Sequence, residues 1–304
     1  MIQLLSDWLG AAQGWLFETV IQPVLFYGGL GDITEEAFEG TEWLLIGLAE
    51  LVLLFLVLRP MEALIPVHKF TDPRARWNDF LYTVLHRLGL FTVVIFFTLD
   101  PLMDHLNALL RLEDVRPFNL ENLFPDMGPL WSFVLYLLVL DFVDYWYHRA
   151  SHQFNWWWGL HSLHHSQMNM NLWSDDRNHV LDDLLRDVVM GLVAVAIGVP
   201  PAQYVLLVSP RYHRMHHAIG VGHESKGKGT LGGCNFAVLF PVWDILFRTA
   251  NFTREFVQTG IRDQLPHTAP DGSVVPGREY GRGFWQQQWL GLKRMVQNFG
   301  KEPG

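Results

Sequence analysis

The residues best able to do chemistry in this chain are its histidines. Fourteen are present, and eight of the nine between residues 148 and 217 fall into three tight clusters. HRASH places His148 and His152 four apart, HSLHH supplies His161, His164 and His165, and HRMHH supplies His213, His216 and His217. In a helix, positions i, i+3 and i+4 project into one arc, so each cluster directs its ring nitrogens at one place. His179 stands between them in RNHVLDD, with Asp182 and Asp183 a turn later. Neutral imidazole suits iron, zinc, copper and nickel, whereas magnesium and calcium want oxygen ligands. Eight or nine imidazoles exceed the coordination sphere of one ion, so the pattern implies two.

Carboxylates accompany the imidazoles. Asp141, Asp144, His148 and His152 are spaced three, four and four, which puts them on one helical stripe. Asp144 is expected to hydrogen-bond the far nitrogen of His148 and fix its tautomer, and Asp182 is the other carboxylate expected behind the ligands. His68, His86, His105 and His267 stand alone and read as ordinary polar residues, while His223, in GVGHES, is left open.

The elements that must carry these residues are apolar. Half of the 304 residues are hydrophobic. Four stretches could enter a bilayer: Trp8 to Leu30, interrupted by Glu18 and Gln22; Trp43 to Leu58; Phe80 to Leu99; and Leu130 to His148. A hydrocarbon core needs about 20 helical residues, which the last three reach with tilt or flanking residues. The expected fold is therefore all-α, an integral-membrane helical bundle of about three to five membrane helices under a cytoplasmic, histidine-rich helical cap. Arg59, Lys69, Arg74 and Arg76 mark the loop between the second and third stretches as cytoplasmic, and alternation then puts the histidine clusters on that side. Trp156 to Trp158 would sit in the interfacial aromatic belt. The expected division is residues 1–128 as membrane helices and loops, 129–254 as the histidine domain, and 255–304 as a polar tail. In that tail HTAPDGSVVPG reads as loop, and GFWQQQWLGLKRMVQNF as an amphipathic helix on the membrane surface.

Composition excludes several classes. A net charge of −9 argues against nucleic acid as a partner. The lone Cys234 rules out an internal disulfide and a cysteine-based metal cluster. MIQLLSDWLG lacks a basic region and a small-residue cleavage site, so a cleaved signal peptide is not expected. Zinc hydrolysis usually uses one ion and a general-base glutamate, as in HExxH, and the chain has no HExxH.

The histidine pattern, with Arg177 and His179 as an Arg-x-His element and SPRYHRMHH followed by GGCNFAVLFPVWDILFRT, resembles the fatty acid hydroxylase/sterol desaturase superfamily over about Leu130 to Phe252. Arg248 stands where that closing pattern usually has glycine. The resemblance implies a membrane non-haem di-iron enzyme that uses O2 and two external electrons to hydroxylate or desaturate a lipid. It implies His148, His152, His161, His164, His165, His179, His213, His216 and His217 as ligands of two iron ions. No haem or flavin motif is fused, so a separate reductase, cytochrome or ferredoxin would deliver the electrons. Trp157, Trp158 and Trp173 are candidates for the lipid entrance.

One departure cuts against activity. Only 33 residues separate His179 from His213, where the family usually has a further pair of apolar segments and another histidine. If Leu184 to Val199 crosses the bilayer, the last cluster lands on the far side; if it is re-entrant or interfacial, the ligands can converge. The alternative function is accordingly a catalytically impaired, lipid-binding homologue.

Overall fold

The computed structural model describes residues 2–66, 72–90, 93, 101–102, 105–106, 108–113, 115, 118, 120–124, 126–197, 210–219, 233–253 and 258–300. The chain forms two compact units: residues 1–95 with 171–176, and residues 96–170 with 177–304. It is predominantly helical, as expected. The exception among the described residues is a hairpin of β1 (His267–Thr268) and β2 (Val274–Val275), paired His267 to Val275 and Thr268 to Val274. The composition of HTAPDGSVVPG predicts a loop there. Asp271 and Gly272 (φ +82°) close the turn, with Asp271 accepting from the Ser273 amide and hydroxyl.

In the first unit, α1 (Ile2–Leu16), α2 (Gln22–Gly28), α3 (Thr34–Leu53), α4 (Arg59–Leu64) and α5 (Pro73–Arg87) follow one another. Five-residue π-helical turns join α1 to α2 and α3 to α4, so Gly31–Leu64 is one helical run long and apolar enough to cross a membrane. Its Val52, Leu53, Phe55 and Leu56 are exposed, a contiguous apolar surface that a soluble protein would not present to water. Asp72 caps α5 by accepting from the amides of Arg74 and Ala75, with Pro73 in the first helical turn where no amide is needed. Of the third apolar stretch, residues 80–87 lie in α5; residues 91–92 and 94–100, like His68 and His223, lie outside the described residues.

The second unit holds the histidines. Its long helix α6 (Pro129–Gln153) spans about 37 Å at 1.5 Å per residue, and Leu130–Gln153 is the other candidate membrane span among the described residues. An extended Phe154 breaks the helix and α7 (Asn155–His165) begins at once. Next come α8 (Val180–Ile197), α9 (Pro210–His216), α10 (Val242–Leu246) and α11 (Phe284–Asn298). Asp182, Asp183, Arg186 and Asp187 crowd the first half of α8, which is not among the candidate spans. The expected C-terminal helix is present as α11 and packs along α7. A Cβ on Gly159 would sit 2.5 Å from the Met295 nitrogen, so only glycine permits this approach.

Candidate metal centre

Each cluster lands where helical spacing places it. His148 and His152 lie on α6, His161, His164 and His165 on α7, and His213 and His216 on α9, with His217 just beyond. Eight of the nine expected ligands meet in two adjoining groups. His148, His152, His161, His165 and His216 form one, His164, His213 and His217 the other; in each, the candidate ligand nitrogens lie within 4.8 Å of one another. The rings of His165 and His217, one from each group, stack at 4.4 Å. The short stretch between His179 and His213 therefore does not keep the last cluster from the others.

Hydrogen bonding fixes the ring tautomers. His148 Nδ1 donates to the Phe236 carbonyl at 2.8 Å, His216 Nδ1 to the Cys234 carbonyl at 2.7 Å, and His161 Nδ1 to Asp182 Oδ2 at 2.8 Å. Each ring with Nδ1 protonated turns an Nε2 lone pair inward. His148 Nε2 is buried without a hydrogen-bond partner. His165 Nε2 lies 3.3 Å from His161 Nε2 and 3.1 Å from His216 Nε2. In the second group, His213 Nε2 is 3.2 Å from His164 Nε2 and 3.0 Å from His217 Nε2. Where both nitrogens of such a pair present lone pairs, they repel unless a cation lies between them. A metal–imidazole bond of about 2.1 Å sets neighbouring nitrogens about 3.0 Å apart at a right angle and about 3.4 Å at the tetrahedral angle. The separations match that spacing, so the donor set fits metal ions.

Burial, then mutual repulsion, pushes His164, His165, His216 and His217 well below the ordinary imidazole range. They are neutral at physiological pH, the state a ligand requires. Asp182 is buried, which by itself would raise its pKa. Hydrogen bonds from His161, Trp157 and Tyr147 instead hold it below the usual carboxylate range.

Several expectations are corrected. His179 joins neither group: its Nε2 donates to the Gln288 carbonyl at 2.7 Å and its Nδ1 accepts from the Leu181 amide at 3.1 Å. With both nitrogens engaged, it ties the start of α8 to α11. Asp144 does not reach His148. It pairs with Arg186 of α8, Nε to Oδ1 at 2.7 Å, because a two-pronged guanidinium outcompetes a neutral imidazole. The Trp157 indole is buried rather than exposed, donates to Asp182 and packs edge-on against Tyr147. Trp173 is buried in the first unit, and Trp158 stands 5.0 Å from His152 and 5.2 Å from His165, ring to ring.

Besides Asp182, which the sequence predicts, further supports stand behind the rings. The loop presenting the Cys234 and Phe236 carbonyls is held by Asp244, which accepts from the amides of Phe236 and Ala237. Asp141 anchors the next turn, accepting from the amides of Leu239 and Phe240 and the Trp243 indole. The CNF and WD motifs were the available signal, but carbonyls that orient imidazoles leave no residue-type signature.

The described residues are mostly helical, with two helices long and apolar enough to cross a membrane and eight histidines in two groups that could hold metal ions. A family model, Fatty acid hydroxylase, matches residues 133–209. Alkylglycerol monooxygenase of Homo sapiens is 27% identical over 175 residues, 49% of this chain and 36% of that protein. The Caenorhabditis elegans alkylglycerol monooxygenase is 25% identical over 148 residues, covering 39% and 27%. Ornithine lipid hydroxylase OlsE of Rhizobium tropici is 22% identical over 217 residues, 62% of each chain. The chain thus covers about a third of the length of the alkylglycerol monooxygenases it matches. No solved structure matches it. These matches support a resemblance of the chain to the fatty acid hydroxylase/sterol desaturase superfamily.

Proposed function

We propose that this chain is a membrane-bound, O2-dependent lipid hydroxylase with a histidine-ligated di-iron centre on the cytoplasmic side. The observation that carries the reading is the convergence of eight buried or half-buried imidazoles in two adjoining groups. His148, His152, His161, His165 and His216 would hold one ion, and His164, His213 and His217 the other. Three nitrogens leave the second ion room for a non-protein ligand, as catalytic sites require. The lipid hydroxylases among the relatives favour hydroxylation of a lipid C–H bond.

Bound iron, supplied with O2 and two electrons from a separate reductase, cytochrome or ferredoxin, would provide the oxidising power that no side chain has. The protein's own residues orient and exclude. Asp182 and the Cys234 and Phe236 carbonyls lock three rings in their ligating tautomers. Phe236, fully buried, packs 5.2 Å from His152 and 5.4 Å from His216, ring to ring, and keeps water from that side. Tyr147 and Trp157 share Asp182 with His161 and leave the carboxylate no freedom to rotate.

The test is metal analysis of anaerobically purified protein together with lipid turnover in the presence of a reductase. Two irons per chain and loss of lipid oxidation in His164→Ala are expected. A single zinc with hydrolytic activity would overturn the assignment.

A further inference from the structure

α11 is built the wrong way round for a helix in water. The side it turns to the rest of its unit is polar or bare: Gln287 and Arg294 are buried, and a Cβ on Gly291 would sit 2.4 Å from the His179 ring. The opposite side is apolar. Trp285, Trp289 and Val296 are 82%, 64% and 63% exposed, and Phe299, where the helix ends, is 71% exposed. At about 100° per residue, Trp285, Trp289, the half-buried Leu292 and Val296 fall within about 60° of one another, which makes a single stripe. Gln286, Lys293 and Gln297, all exposed, line one edge of it. A helix on the surface of a water-soluble protein buries its apolar stripe and shows its polar face. α11 does the reverse.

Two observations say what covers the stripe. The first is composition. Tryptophans edged by glutamine and lysine suit the boundary between headgroups and acyl chains, where indoles rest and a lysine reaches back to water. α11 carries Lys293 and Arg294 and no Asp or Glu, in a chain of net charge −9, so nothing along it repels lipid phosphates. The second is continuity. The Phe299 ring packs 6.2 Å from that of Trp156, near the start of α7, and Phe154, where α6 gives way to α7, is 47% exposed. The stripe thus runs on to the end of α6, a candidate membrane span.

We infer that the outward face of α11 is a membrane-surface anchor, with Trp285, Trp289, Val296 and Phe299 in the headgroup–acyl boundary of the leaflet where α6 ends. The inference rests on the membrane reading proposed above. Because α11 packs along α7, the anchor sets the height of His161, His164 and His165 relative to the bilayer, and it needs no metal.

Single nitrobenzoxadiazole labels on the protein reconstituted in phosphatidylcholine vesicles test it. Trp289→Cys and Val296→Cys put the label on the stripe, Gln286→Cys and Gln297→Cys on its polar side, and Leu53→Cys on the candidate span Gly31–Leu64. All five parent side chains are exposed, so none of these variants opens a cavity, and Cys234 is buried away from the reagent. Lipids with a nitroxide near the headgroup should quench the stripe labels about two- to threefold more than the polar-side labels. Lipids with a nitroxide near the chain end should quench the Leu53→Cys label more than the stripe labels. Stripe labels that neither lipid quenches, beside a quenched Leu53→Cys label, would overturn the anchor and leave the membrane reading standing. Loss of quenching at every position would remove both. Stripe labels that escape lipid quenching but brighten when labelled protein is diluted with unlabelled protein would make the stripe a contact between two copies of the chain, and would also overturn the proposal.

Discussion

Asp182→Asn is nearly isosteric and removes one charge. Three donors converge on the parent carboxylate: Tyr147 Oη and Trp157 Nε1 on Oδ1, and His161 Nδ1 on Oδ2, each at 2.8 Å. The amide carbonyl of asparagine can keep the two bonds at Oδ1. Its NH2 then stands where Oδ2 was and faces the His161 N–H, donor against donor. His161 must either swing away or move its proton to Nε2, and both remove its lone pair from the group of five. The charge-assisted bond alone contributes about 1.5–3 kcal/mol. Loss of such a support behind a ligating imidazole typically weakens metal binding about 10–100-fold. Iron retention against increasing chelator, read by metal analysis, should fall by that amount, with a lowered Tm. An Asp182→Asn protein that keeps iron as tightly as the parent would refute the tautomer argument and, with it, His161 as an Nε2 ligand.

Four further outcomes are expected. His179→Gln should retain its metal while His165→Ala loses it; equal loss in both would make His179 a ligand after all. Gly159→Val should force α11 off α7, because the obstacle is the Met295 backbone 2.5 Å away, and should lower stability by about 1–3 kcal/mol, read as a drop in Tm. Burial pushes the Cys234 thiol up to about 12, so a maleimide at pH 8 should label the protein only after unfolding, and rapid labelling of the folded protein would contradict this. The metal-free protein should lose stability as pH falls. His165, His216 and His217 have folded pKa values below the unfolded value of about 6.5, so their contribution is complete above it and declines below it. A Tm that does not change between pH 8 and pH 5 would refute that.

The parts legible in the sequence were those with a period. HxxxH and HxxHH at helical spacing placed eight ligand candidates, and the apolar run from Trp43 to Leu58 reads as a candidate span, which lies within the helical run Gly31–Leu64. His179 was misread because an Arg-x-His element shows that a histidine is placed, not what it faces. Its partner, the Gln288 carbonyl, lies more than a hundred residues away on another helix. Asp144 was misassigned for a related reason. Its i+4 neighbour on α6 was visible, while Arg186 on α8 became a neighbour only through packing. Close approach is equally silent in sequence: nothing around Gly159 announces that Met295 will press against it.

The stitching that follows the last cluster bears on how the protein is made. The His217 carbonyl accepts from the Gly260 amide, Ala218 bridges to Thr259, and α11 closes over α7. None of this can form until the residues up to α11 have been made. A nascent chain would therefore expose His148 to His165 to whatever metal the cell offers before the ligands that complete the cage exist. If the proposed metal centre is right, its loading would follow synthesis of these later segments.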